Sequence, residues 1–141
     1  FTSMTETEIN RVVMECLVMV ELPGVQTKMP SELSGGMQKR VALARAVALK
    51  PRYILYDEPT SGLDPETSTT IDELIQSLSD QLNVTSIVVT HDMHSVLNIA
   101  DKAAFVHEGK MHWAGTIAEL HESDDQILRR FVKANEYLIG K

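Results

Sequence analysis

The sequence holds a single cysteine, Cys16, among its 141 residues. One thiol cannot close an internal disulfide, so disulfide-framed secreted scaffolds are excluded and a reducing compartment is the simplest expectation. Long apolar runs are missing too. The longest, from Cys16 to Val20, falls far short of the roughly 20 residues that a helix needs to cross a bilayer. Phe1-Thr2-Ser3-Met4-Thr5 has neither a basic stretch nor an apolar core, so no secretory signal is read there. Positive charge is scarce: 13 Lys and Arg stand against 20 Asp and Glu, a net charge of −7. That balance argues against a surface built to neutralise nucleic-acid phosphates or to adhere to anionic lipid, although it leaves room for a local anion site. Metal-ligand spacing is absent around His94, His107, His112 and His121, which read as surface or packing residues. Neither a Gly-x-Ser-x-Gly elbow nor a His-Glu-x-x-His helix occurs, which removes two hydrolase classes.

What is present is an ordinary globular composition. Hydrophobic residues make up 43%, and with glycine they reach the globular range of about 45–50%, in a length that suits one domain. From Thr5 to Val20 the apolar residues recur at helical spacing, Thr5 with Glu8 forms a capping box, and Leu22-Pro23-Gly24 is the expected stop. Cys16 belongs to the packed face of that helix, and Trp113 and the methionines read as core and gap filling. A loop over 23–34 leads into a helix from about Gly36 to Leu49, ended by Pro51. Tyr53-Ile54-Leu55-Tyr56 and Ser86-Ile87-Val88-Val89-Thr90 read as strands buried on both faces. Between them, Asp64 as N-cap and Pro65 at the first position open a third helix, with Ile71, Leu74, Ile75, Leu78 and Leu82 on one face. A helix over about Met93 to Ala100 follows. Strands near 103–107 and 110–114 then meet at Glu108-Gly109, and helices over 116–120 and 124–137 close the chain. This alternation predicts an α/β fold with parallel strands at its centre and ligands outside the strands' carboxyl ends.

Asp57-Glu58 and His91 each follow a predicted strand. Adjacent carboxylates at a strand end point in different directions, so Asp57 could reach a magnesium ion while Glu58 orients and deprotonates water. The same residues before Pro59 could equally cap a turn. Ser34-Gly35-Gly36 at the start of a helix offers free amides and a favourable dipole to an anion, or is a plain N-cap. Lys39, Arg40 and Arg45 on that helix could add positive potential or form a solvated face. His91 could contact a terminal phosphate or simply be structural.

Taken together, Leu33-Ser34-Gly35-Gly36-Met37, Tyr53-Ile54-Leu55-Tyr56-Asp57-Glu58-Pro59-Thr60, Ser61-Gly62-Leu63-Asp64-Pro65 and Val89-Thr90-His91-Asp92 resemble, in order and spacing, the second half of an ABC-type ATPase. The resemblance implies a partial P-loop NTPase fold, with a mostly parallel central sheet flanked by helices. It makes 1–50 part of the helical signature subdomain, with a chain discontinuity near 5–6, and 51–141 the C-terminal part of the RecA-like nucleotide-binding core. It also implies ATP and Mg2+ as cofactors. Ser34, Gly35, Gly36 and Met37 would then be the signature loop that binds the γ-phosphate of ATP held by a second copy. Asp57 would be the magnesium-linked Walker B aspartate, Glu58 the general base, Asp64 the D-loop residue and His91 the switch histidine. Met37 stands where Gln is commoner.

The run from Leu33 to Ala46, with Ile99-Ala100-Asp101, looks most like Mla-type ATPases of bacterial phospholipid transport. The partners implied are a second ATPase subunit, an integral-membrane permease and an Mce-type lipid-binding protein, at the cytoplasmic face of the inner membrane. The 141 residues contain no Gly-x-x-x-x-Gly-Lys-Ser/Thr loop, and the Gln loop and adenine-stacking aromatic of the family are also missing. Two other readings follow: a non-catalytic module that docks on a complete ATPase, and a soluble ABC ATPase outside transport.

Overall fold

The computed structural model describes residues 4–136. They form two compact units that divide between Val89 and Thr90. The first unit opens with α1 (Glu6–Met19), capped reciprocally by Thr5 and Glu8 as the sequence predicts. The helix stops before Leu22-Pro23-Gly24. Glu21 turns left-handed at φ 55°, the Leu22 amide donates to the Leu17 carbonyl at 2.8 Å and the Glu21 amide to Val18 at 3.0 Å. Leu17 and Leu22 are both buried, in keeping with the apolar residues that usually accompany this way of ending a helix. After a 3-10 turn at Pro30–Glu32 comes α2 (Gly35–Val47). It ends two residues before the expected Leu49, with Lys50 left-handed at φ 49°.

Strand β1 (Tyr53–Asp57) pairs in parallel with β2 (Thr85–Val89), Tyr53 opposite Thr85 and Asp57 opposite Val89. Between them runs α3 (Pro65–Leu82), with Asp64 as N-cap and Asn83 in the left-handed conformation at its end. Its apolar face, Ile71, Leu74, Ile75 and Leu78, is buried as α3 packs on α2 and β2. Each fully buried aliphatic residue of that set contributes roughly 1.5–3 kcal/mol. Buried Cys16 belongs to the same core.

The expectation of strands buried on both faces is corrected. Ile54 and Tyr56 are buried, but Tyr53, Leu55, Ile87 and Val89 are 62%, 75%, 51% and 59% exposed. Strand alternation sends these residues to the other face of the pair, and the described residues cover only one face. The methionines also depart from the core role expected of them: Met93 is buried, whereas Met29 and Met111 lie on the surface.

The second unit holds α4 (Met93–Ile99), an antiparallel hairpin of β3 (Lys102–His107) and β4 (Lys110–Thr116), α5 (Ile117–Glu122) and α6 (Gln126–Glu136). The hairpin turn is the predicted one, Glu108 at φ 48° and Gly109 at φ 73°, the conformation that matches strand twist. A second capping box, Thr116 with Glu119, opens α5. Asp125 caps α6 through the Leu128 amide at 2.8 Å and meets His112 of β4 at 2.9 Å. The part of the last predicted helix at Tyr137 lies outside the described residues. No helix among the described residues is long and apolar enough to cross a membrane.

Candidate functional site

The first unit brings together three of the segments singled out in the sequence. Ser34 is the N-cap of α2, and its hydroxyl accepts from the Met37 amide at 3.3 Å. The Gln38 amide closes the first helical bond to the Ser34 carbonyl at 2.9 Å. The amides of Gly35 and Gly36 precede these bonds in the first turn, where a helix has no internal acceptor for them. The Gln38 side chain fastens the approach to the helix by donating to the Pro30 and Leu33 carbonyls, each at 3.1 Å. Ser34 and Gly35 are exposed, so this end of α2 faces outward.

Gly36 is required by packing. A Cβ there would stand 2.6 Å from Thr67 Cγ2, far inside contact distance, so only glycine lets the start of α2 lie against the start of α3. Thr67 is itself held, its amide donating to Asp64 Oδ1 at 3.0 Å and its hydroxyl to Asp64 Oδ2 at 2.6 Å. Those two hydrogen bonds, the hydroxyl first, hold the Asp64 carboxyl below the ordinary carboxylate range. The predicted D-loop aspartate is therefore a rigid cap as well as an exposed carboxylate.

At the carboxyl end of β1, Asp57 is exposed and Glu58 half-buried. Glu58 continues the parallel ladder, its amide donating to the Val89 carbonyl at 2.9 Å, yet its backbone is left-handed at φ 45°. Such a conformation in a long-chain residue persists only where the surroundings fix it. The Glu58 carbonyl accepts from the Ser61 amide at 3.2 Å and from Lys39 Nζ at 3.1 Å. Lys39 therefore bridges α2 to the strand end and is not part of a solvated face. Arg40 turns instead to Glu21, at 3.4 Å. The Lys39 contact was not foreseen; its only trace in the sequence is a cation one turn after the two glycines.

His91 and Asp92 belong to the second unit, His91 exposed and Asp92 capping α4 through the His94 amide at 2.9 Å. No group of three or more metal-ligating side chains occurs among the described residues. The donors present suit a different demand. Two glycine amides at an outward helix end suit a phosphate, and one exposed strand-end carboxylate suits a magnesium ion that keeps most of its waters.

Comparison with known proteins points the same way. The ABC transporter family profile matches residues 2–61. The intermembrane phospholipid transport system ATP-binding protein MlaF of Haemophilus influenzae is 46% identical over 132 residues, covering 94% of this chain and 50% of that protein. The methionine import ATP-binding protein MetN of Wolinella succinogenes is 41% identical over 133 residues, covering 94% and 44% respectively. Among solved structures, a dimeric ATP-binding cassette in a post-hydrolysis state with ADP and Pi superposes with a TM-score of 0.70 at 34% identity. That match covers 82% of this chain and 50% of the other. The chain spans about half the length of the curated relatives it matches.

Proposed function

This chain belongs to the ABC transporter family and has part of the fold of its ATP-binding cassette, and from that premise we propose that it is the signature-bearing half of an ATP-hydrolysing transport subunit. The observation that carries the proposal is the single packed unit in which the Ser34-Gly35-Gly36 helix end, the Asp57-Glu58 strand end and the Asp64 turn are fastened to one another through Gly36, Thr67 and Lys39. In this reading 1–50 is part of the helical signature subdomain and 51–141 the C-terminal part of the RecA-like nucleotide-binding core.

Each residue then has a physical task. The Ser34 hydroxyl and the Gly35 and Gly36 amides, with Met37 behind them, hold the terminal phosphate of ATP carried by a second copy, helped by the α2 dipole. Asp57 holds Mg2+, which supplies charge neutralisation at the phosphates when bound. Glu58 orients a water and takes its proton as the water attacks the terminal phosphorus and the bond from that phosphorus to the bridging oxygen breaks, releasing ADP. His91 is the switch histidine of this reading, and Asp64 faces the partner across the dimer. The 46% identity to an intermembrane phospholipid transport ATPase supports phospholipid as cargo, with an integral-membrane permease and an Mce-type protein as partners at the cytoplasmic face of the membrane.

A Ser34→Arg change in the ATPase subunit tests the phosphate role by filling the space in front of the two amides. Turnover should fall at least about a hundredfold, with the melting temperature lowered only by the few degrees that loss of the Ser34 cap costs; retained turnover contradicts the assignment. Purification from membranes tests the cargo: stimulation of ATP hydrolysis by phospholipid supports it, and stimulation by methionine instead overturns it.

A further inference from the structure

The hydrogen bond from Lys39 Nζ to the Glu58 carbonyl joins residues 19 apart in sequence, on the helix that presents the phosphate-facing amides and at the strand end that carries the carboxylates. From it we infer that Lys39 is a positioning residue for hydrolysis, tying the orientation of Glu58 to the seating of the signature helix. The inference rests on the reading of Glu58 as general base. It adds a residue to that site, and a direction in which the site is coupled.

Three fastenings hold the left-handed Glu58 backbone. The amide bond to Val89 belongs to the strand ladder, and the bond from the Ser61 amide to the Glu58 carbonyl belongs to the local turn. The third, from Lys39, comes from the helix that carries Ser34-Gly35-Gly36. Lys39 lies one turn beyond Ser34-Gly35-Gly36 on the same helix, so whatever moves that helix end moves the ammonium group. The seam at Gly36 cannot absorb such a movement, because Thr67 already fills the space a single Cβ would need and is pinned by Asp64. Engagement of the signature loop is therefore transmitted along α2 to the Glu58 carbonyl, and through one residue's backbone to the base.

Lysine suits the task. Its stem spans the gap along the helix surface and its charge strengthens a bond to a carbonyl that is already shared with Ser61. The neighbouring Arg40 is committed to Glu21.

The test is steady-state ATP hydrolysis by the full subunit carrying Lys39→Met, Lys39→Arg or Glu58→Gln. Lys39→Met keeps the stem and removes the donor. It should lower kcat by about tenfold to a hundredfold, the range set by loss of a charged hydrogen bond, with KM for ATP unchanged. Lys39→Arg should restore most of kcat, and melting temperatures should stay within about 4 °C of the parent. A loss of kcat that Lys39→Arg fails to rescue, or one that tracks a fall in melting temperature, marks a merely structural contact and overturns the inference. Wild-type kcat in Lys39→Met beside an inactive Glu58→Gln also overturns it. Turnover retained by Glu58→Gln refutes instead the assignment of the base.

Discussion

Gly36→Ala isolates the seam between α2 and α3. The added Cβ would stand 2.6 Å from Thr67 Cγ2, about an ångström inside ordinary contact. Thr67 cannot swing away without releasing its hydroxyl from Asp64, 2.6 Å away. Alternatively the two helix starts must separate. Alanine would otherwise favour the helix over glycine by up to about 1 kcal/mol, whereas an overpacked methyl costs roughly 1–3 kcal/mol. The clash therefore wins, and a net loss of about 1–2 kcal/mol lowers the melting temperature by about 3–8 °C. Thr67→Ser removes Cγ2 and keeps the hydroxyl, so the double variant Gly36→Ala/Thr67→Ser should recover most of the loss. Calorimetric melting of the four proteins decides. Gly36→Ala as stable as the parent, or an equal loss in the Thr67→Ser background, would refute the reasoning.

Three further outcomes follow from the same structure. Leu78 is fully buried on α3, so Leu78→Ala should cost about 2–5 kcal/mol in urea unfolding; a loss no larger than that of a surface substitution contradicts the packing described. The backbone amides of Thr5 and Thr116, and after them their hydroxyls, donate to Glu8 and Glu119 and hold both carboxyls below their ordinary 4.5. The folded-state values are depressed, so this stability is fully present above 4.5 and is lost as pH falls through the lower folded values. The parent should therefore lose stability on acidification more steeply than Glu8→Gln/Glu119→Gln, which has no carboxyl to protonate at either cap, and parallel pH curves would be the adverse result. Burial pushes the Cys16 thiol up, so thiol reagents should label it slowly in the native protein and rapidly in urea; equal rates would place it on the surface.

Local chemistry made much of this fold legible. Thr5 with Glu8, Asp64 with Pro65, and Glu108 with Gly109 each carry their conformation within a few residues, and each lies where the sequence places it. The helix over Thr5 to Val20 also ends where the sequence places it, at the Val20 cap, but the residue that turns there is Glu21, of a type that disfavours the left-handed region. Only the pairing of Leu22 with Leu17 in the folded unit explains it. The strands did mislead. Tyr53, Leu55, Ile87 and Val89 are as apolar as a doubly covered strand requires, and sequence cannot say what covers a face.

At the site, the residue types and their spacing were readable, and the fastening was not. That Lys39 reaches Glu58, or that Gly36 answers to Thr67, depends on how α2, β1 and α3 meet. A linear pattern contains no term for that meeting.

The central claim is that Glu58 takes the proton from the attacking water, and its most direct test is phosphate release from ATP by the full subunit with Glu58→Gln, measured beside nucleotide binding in the same preparation. The account predicts undiminished ATP binding with turnover reduced by at least about a hundredfold, as loss of a general base requires. Phosphate release at the parental rate, with binding intact, would contradict it.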